Sequence, residues 1–283
     1  SKEGQLIVIA PLKNSPAEKA GLKANDKVLK VDGKSTEGLA VSEAVRLIRG
    51  EVGTKVTLTI IREGWQSPRD VEIARETIQV PTVEWSMKEG NIIHLELSSF
   101  SANTPFAFFQ AIAGGLRQGG DSLILDMRNN PGGFLEVSVN LAGWFVNRGD
   151  VVVSEKFTGG DERLFRAYGN EALKNFPVVV IMNEGSASAS EILAGALRVH
   201  NGTKIVGAKS FGKGTVQQLI DLSDGSTLKV TISHWLMPDG RLIEGNGLEP
   251  DFKVTVTDED LMAGRDPQLN KAIEVLKQEM QRR

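Results

Sequence analysis

The chain contains no cysteine. That excludes a thiol nucleophile, a disulfide framework and any thiolate metal site. Histidine is scarce: His94, His200 and His234 lie far apart, with no His-Glu-x-x-His metal segment. No metal or other cofactor is therefore expected. Apolar runs are short, and none approaches the roughly 18 residues of a membrane span. Neither sign of charge prevails: Lys and Arg number 33 against 36 Asp and Glu, a formal net charge of −3. The charges are interspersed, which is no nucleic-acid signature. No signal peptide is visible at the start. What is present is 283 residues, enough for two domains and a substantial core.

Two segments carry chemistry. Phe176 to Met182 is a short apolar run that reads as a buried strand. Asn183-Glu184-Gly185-Ser186-Ala187-Ser188-Ala189-Ser190-Glu191 follows. A helical pattern of Ile192, Leu193, Ala196, Leu197 and Val199 then stops at Asn201-Gly202. Ser188 thus falls at a helix start, where unpaired N–H groups and the helix dipole favour a developing oxyanion. The same spacing fits a capping box, in which Ser188 merely closes the helix. On this stretch alone the cap is the commoner use of such a serine.

The second segment is Phe211-Gly212-Lys213-Gly214-Thr215-Val216-Gln217-Gln218. Gly207 to Lys213 nearly spells a phosphate loop, but Gly214 stands where Ser or Thr must hold magnesium. A strand follows it, not a helix. A surface lysine is one reading; a base for a serine is the other. An unperturbed lysine is neutral in only about one molecule in a thousand at pH 7.4. A base lysine therefore needs apolar cover, and Phe211 and Val216 are its expected neighbours. Strand alternation puts Lys213, Thr215 and Gln217 on one face, so Gln217 is placed to accept a hydrogen bond from the lysine.

With these motifs the chain resembles the C-terminal processing peptidases, PDZ-bearing serine proteases that cut proteins from their C-terminal ends. The family's Ser-Ala-Ser-Ala-Ser-Glu segment falls on residues 186–191, and its nucleophile on Ser188. Its Phe-Gly-Lys-Gly-Thr-Val-Gln-Gln segment falls on residues 211–218, with Lys213 as general base and Gln217 as its support. A third segment, Arg-Asn-Asn-Pro-Gly-Gly, is Arg128 to Gly133. By resemblance the N–H groups of Gly133 and Ala189 form the oxyanion hole, with Gly132 as the alternative to Gly133. One position departs: many members carry an aspartate where this chain has Val199. That leaves a Ser–Lys dyad without a third charged member.

The first part of the chain has a short helix opened by Ser15-Pro16 and a strand ending at Asp32-Gly33. A helix over Val41 to Ile48 and a half-buried strand, Lys55 to Ile60, follow. This order resembles a PDZ domain, a module that binds peptide C-termini by strand addition. The family's carboxylate loop and the strand after it belong before Gln5 to Ile9. The sequence is thus expected to be part of a longer protein. Arg49, ending the groove-side helix, is the candidate for relaying groove occupancy to catalysis.

Expected domains are a PDZ-like part at 1–77, a catalytic core at 78–260 and a helical tail at 261–283. The core reads as α/β with a mixed sheet, and the resemblance implies a crotonase-like architecture. Strands are expected at 91–97, 122–127, 177–182, 204–207, 215–222 and 226–233. Helices are expected at 104–118, 134–146 and 190–199, with a hairpin and loop at 150–175. Partners implied are polypeptides with free apolar C-termini, with self-association or an activating adaptor protein left open. The resemblance places such a protein outside the cytoplasm, in a periplasm, cell envelope or thylakoid lumen. Two other functions fit these residues: a non-catalytic PDZ adaptor or chaperone, and a serine–histidine hydrolase using His200 or His234.

Overall fold

The computed structural model describes residues 5–8, 11, 15–23, 26–78, 81–221, 226–257, 259–260 and 263–281. The chain divides into two compact units, Ser1–Val80 and Pro81–Arg283. Gln79 and Val80 near the start of the expected catalytic core, residue 222, and Leu261 and Met262 at the start of the expected tail lie outside the described residues.

The first unit runs β1 (Leu6–Ile7), α1 (Pro16–Lys19), β2 (Lys27–Val31), β3 (Lys34–Ser35), α2 (Val41–Ile48), β4 (Lys55–Ile61) and β5 (Arg69–Ala74). Its sheet is antiparallel in the order β1-β2-β4-β5, with β3 paired to β2. Ser15 caps α1 by accepting from the Glu18 N–H, and Pro16 occupies the first turn, where no donor is needed. Asp32 and Gly33, both at positive φ, turn β2 into β3. Alternation then buries Val28, Val31, Val56, Leu58 and Ile60 on one face. Beside this core is a mostly apolar cavity of about 440 Å³, lined among others by Leu6, Leu22, Ile48, Leu58 and Ile73. Arg49, the exposed C-cap of α2, lies on its lining.

The second unit begins with β6 (Val83–Lys88), β7 (Ile92–Leu97), α3 (Thr104–Arg117), β8 (Ser122–Asp126) and α4 (Leu135–Ala142). Next come β9 (Val151–Phe157), β10 (Glu162–Arg166), β11 (Val178–Met182), α5 (Ala189–Asn201) and β12 (Lys204–Gly207). It ends with β13 (Thr215–Asp221), β14 (Thr227–Leu236), β15 (Phe252–Lys253) and α6 (Pro267–Gln281). A six-stranded sheet has the order β15-β12-β11-β8-β7-β6, parallel except for the antiparallel β6–β7 pair. A second, antiparallel sheet runs β10-β9-β14-β13.

Strand β11 and the centre of β8, Leu123–Leu125, read as unbroken apolar runs because both of their faces are covered. Leu123 and Leu125 face the main core with Leu193 and Leu197 of α5. Ile124, Val179 and Ile181 face the other way, against Ala272, Val275 and Leu276 of α6. Leu269, Ile273 and Met280 of the expected helical tail pack on that same layer. The mixed α/β core is thus as the sequence predicts. Two differences stand out. Strand β6 was not expected, and the helix expected at 134–146 stops at Ala142, where Gly143 packs against the Tyr168 carbonyl.

His94 of β7 has a polar partner. It is buried, and its Nε2 lies 3.2 Å from Asp126 Oδ2. Arg128 donates to Asp126 and, through Nη1 and Nη2, to both oxygens of Asp266 just ahead of α6. Burial pushes the Asp126 carboxyl up, but the hydrogen bonds from His94 and Arg128 outweigh it and hold it below the usual carboxylate range. Asp266 is likewise raised by burial and lowered further by Arg128 and the Leu269 N–H. Carboxyls depressed in the folded state add stability above their unfolded pKa near ~4 and lose it as pH falls through the folded values. Asp266→Asn is expected to cost on the order of 1 kcal/mol at pH 7, since this pair is partly exposed to solvent. It should also flatten the fall of denaturation free energy between pH 4 and 2. Parallel pH curves for variant and wild type would refute this anchoring of α6.

Candidate active site

The expected nucleophile sits where β11 turns into α5. Ser188 has φ 56° and ψ −115°, a backbone geometry that a non-glycine residue adopts only under constraint. Its hydroxyl makes no cap hydrogen bond, and none with any other described residue. The helix start is closed instead by Glu191, whose Oε2 accepts the Ser188 N–H at 2.8 Å. The flanking serines are spent on structure. Ser186 Oγ donates to Met127 O at 2.8 Å and accepts the Asn183 N–H; Ser190 Oγ donates to Asn130 O at 3.0 Å. Both are fully buried, whereas Ser188 is partly exposed.

The Arg128–Gly133 segment wraps this turn. Asn130 is buried. Its Nδ2 donates to Leu97 O, its Oδ1 accepts the Gly132 N–H at 2.9 Å, and its carbonyl accepts the Ala187 N–H. Gly132, at φ +101°, passes so close that a methyl group there would lie 2.9 Å from Ser188 Cβ. Gly133, at φ +148°, pairs with Phe100, whose carbonyl oxygen would be 2.2 Å from an added Cβ. Only glycine meets both demands. The two glycines differ in one respect. Gly132 has already given its N–H to Asn130, whereas the N–H groups of Gly133 and Ala189 have no acceptor among the described residues.

Lys213 lies in the loop ahead of β13, and its backbone is tightly held. Glu191, fully buried, accepts four hydrogen bonds: from Ser188 N–H and Lys213 N–H on Oε2, and from Gly212 N–H and the Ser210 hydroxyl on Oε1. Ser210 in turn accepts the Leu248 N–H at 2.7 Å, and Glu244 accepts the Gly214 N–H at 2.7 Å. The lysine and serine backbones therefore converge on one carboxylate oxygen. The sequence marked Glu191 only as the acidic member of a capping box. Its link to the lysine loop spans 19–22 residues and leaves no local signal.

The side chains around Lys213 depart from expectation. Lys213 itself is exposed, and so are Gln217 and Phe211, with Val216 only half-buried. The apolar cover expected from Phe211 is absent in this arrangement, and Lys213 makes no hydrogen bond with Gln217. The hydrogen bonds of Gly212, Lys213 and Gly214 that hold the loop are made by their backbone N–H groups, and the Lys213 side chain stays exposed. His234 of β14 stands opposite Thr215, and its Nδ1 is buried without a partner among the described residues. His200 is remote. It lies in the last turn of the 13-residue α5 whose N-cap residue is Ser188, on the order of 18 Å away at 1.5 Å per residue, and it binds Val151 O. Val199 leaves no carboxylate at that position, and the neighbouring Arg198 is engaged with Glu249 O and Asp251. Among the described residues no cluster of three His, Asp or Glu is placed to hold a metal.

Residues 91–254 match the family described as peptidase family S41, and residues 7–62 match the PDZ domain. The carboxy-terminal processing protease CtpA of Bacillus subtilis (strain 168) is 40% identical over 257 residues, 91% of this chain and 55% of that protein. A probable CtpA-like serine protease of Staphylococcus epidermidis is 42% identical over 258 residues, 90% of this chain and 51% of that protein. The chain thus spans about half the length of the curated relatives it matches. Among solved structures, a photosystem II D1 C-terminal processing protease is similar at 33% identity and a TM-score of 0.61, over 89% of this chain and 69% of that one.

Proposed function

The chain belongs to peptidase family S41, and from that membership we propose that it is a serine endopeptidase cutting polypeptides near their C-termini through a Ser188–Lys213 dyad. Ser188 Oγ attacks the scissile carbonyl carbon as neutral Lys213 takes its proton. The charge that develops on the carbonyl oxygen is received by the N–H groups of Gly133 and Ala189. Collapse expels the amine, which takes the proton from Lys213 and leaves an acyl ester on Ser188. Water, deprotonated by Lys213, then releases the acid and restores the serine. Gln217, which makes no hydrogen bond with Lys213 in the free chain, is assigned to accept one from the ammonium once substrate is bound, without adding charge. The reading is carried by one observation: among the described residues Ser188 has the one hydroxyl of residues 186–190 without a hydrogen bond, in a turn where the N–H groups of Ala189 and of Gly133, next to the closely approaching Gly132, have no acceptor.

The PDZ domain supplies the second half of the proposal. Its groove gathers free apolar C-termini and raises their local concentration at the peptidase unit; the apolar cavity beside its core supports this. Arg49, on that cavity's lining, is assigned to relaying occupancy. Location outside the cytoplasm follows from the same family likeness. A serine–histidine reading is kept alive by the unpartnered Nδ1 of His234, one strand from the lysine loop.

The test uses an unstructured polypeptide with either a free or an amidated C-terminus, incubated with the intact chain and with Ser188→Ala. New termini are identified by mass spectrometry. Cleavage near the free C-terminus by the wild type alone is expected, with slower cutting of the amidated form. Equal rates on both forms would remove the PDZ half of the proposal. A product from Ser188→Ala would remove the other half.

A further inference from the structure

Gly133 and Ala189 lie on separate segments. The spacing of these two proposed donors therefore depends on what joins the Arg128–Gly133 loop to the turn that leads into α5. Three groups of the turn hold carbonyls of the 127–130 stretch. Ser186 Oγ donates to Met127 O, and the Ala187 N–H and Ser190 Oγ donate to Asn130 O. The middle of the stretch is bound by Asn183. Its Oδ1 accepts the Asn129 N–H at 2.8 Å, and its Nδ2 donates to Asn129 Oδ1 at 2.9 Å, across 54 residues of chain. The same Oδ1 accepts the Gly185 N–H at 3.1 Å. An asparagine that accepts the N–H two residues on is an ordinary turn feature. The reciprocal pair with Asn129 is not local. The amide has one usable orientation, because turning it round would set its NH₂ group against two N–H donors.

The middle of the 127–130 stretch is also the part that needs holding. Asn130 N–H donates to Met127 O at 3.3 Å, which closes a four-residue turn. Asn129 stands in it at φ 56°, a left-handed conformation that is costly for any residue with a Cβ. The central peptide of such a turn, here between Arg128 and Asn129, can rotate by about half a revolution while the turn stays closed; type I and type II turns differ in this way. Rotation would return Asn129 to negative φ. The N–H of that peptide is the group that Asn183 binds. The two segments are also in close contact, since a methyl group on Gly185 would lie 2.8 Å from Asn129 Cα.

We infer that Asn183 is a positioning residue for the oxyanion hole. Its amide holds the Arg128–Asn129 peptide with Asn129 left-handed. That fixes the loop presenting the Gly133 N–H against the turn presenting Ser188 and the Ala189 N–H. The inference rests on the Ser188 reading and adds a residue to it. Asn183 acts through backbone, so its loss should appear where charge develops on the carbonyl oxygen and not in ground-state binding.

Asn183→Leu is close in shape and makes no hydrogen bond. It should lower kcat by roughly 10–100-fold with KM little changed, the scale of a displaced donor. A peptide trifluoromethyl ketone, which Ser188 converts to a hemiketal oxyanion, should lose affinity by the same factor. The matching peptide alcohol, which cannot add the serine, should bind as before. Asn183→Asp keeps the accepting oxygen, and the Asn129 amide can turn to donate to the second one, so most of kcat should remain. Adding Asn129→Gly to Asn183→Leu removes the left-handed penalty and should recover part of kcat. If Asn183→Leu does not fold, Asn183→Ala takes its place. A purely structural staple would weaken ketone and alcohol alike, and glycine would not restore turnover. Full kcat in Asn183→Leu, equal loss on ketone and alcohol, an Asn183→Asp protein as impaired as Asn183→Leu, or no recovery with glycine overturns the proposal. Ser188→Ala separates it from the dyad: product from that variant sinks the dyad itself, whereas a dead Ser188→Ala beside an unchanged Asn183→Leu sinks only the positioning role.

Discussion

Ser188→Ala is expected to lower polypeptide cleavage by at least ~10⁴-fold, as loss of a serine nucleophile does elsewhere, while the fold survives. The separation of chemistry from stability follows from the hydrogen bonds. Ser188 Oγ supports no described group, so its removal leaves nothing unpaired. Ser186 and Ser190 are the opposite case. Each hydroxyl holds a buried carbonyl of the 127–130 segment, and each alanine variant should lose on the order of 1–3 kcal/mol of stability. Lys213→Ala should match Ser188→Ala in turnover, and so should Lys213→Arg, because a guanidinium stays protonated. Substantial turnover by Lys213→Arg at neutral pH would move the search for the base to His234. A cleaving Ser188→Ala protein would end the assignment altogether.

The second large effect belongs to Glu191. Its four partners all donate, so it serves as acceptor only. Glutamine at this position must present an NH₂ group to one of the two donor pairs. The Ser210 hydroxyl can turn to accept it, but the Gly212 N–H cannot, and one backbone donor is left unpaired. Glu191→Gln should therefore stay folded with a loss of about 1–3 kcal/mol in denaturant titration. Catalysis should suffer more. The same carboxylate oxygen sets the spacing of the Ser188 and Lys213 backbones, and a shift of about 1 Å there costs about 100-fold. The loss should fall on kcat with KM little changed, because Glu191 is buried and does not face substrate. A variant that loses stability yet keeps full kcat would show that the carboxylate only staples the helix start.

Much of this protein was decided locally. The central strands β8 and β11 announce themselves because two-sided burial demands apolar residues on both faces, and Ile124 and Leu125 serve opposite layers from adjacent positions. The tail helix is legible because one stripe must pack and the rest must face water. The three motifs at 128–133, 186–191 and 211–218 are short and ordered, two of them carrying a pair of glycines and the third alternating serine with alanine, which sets them apart from ordinary turns. What chain order cannot carry is which polar groups are already spent. Three serines alternate between residues 186 and 190, and nothing in their spacing separates structural hydroxyls from the free one. Only the packing of the 127–130 backbone against that turn does so. The same holds for Gly132 and Gly133, told apart by the side chain of Asn130, and for Glu191, whose reach to Gly212 and Lys213 exists only once β11, α5 and the lysine loop are folded together. Tertiary structure alone likewise left Lys213 uncovered, because exposure depends on which distant atoms arrive above a side chain, and no residue near it in sequence does so.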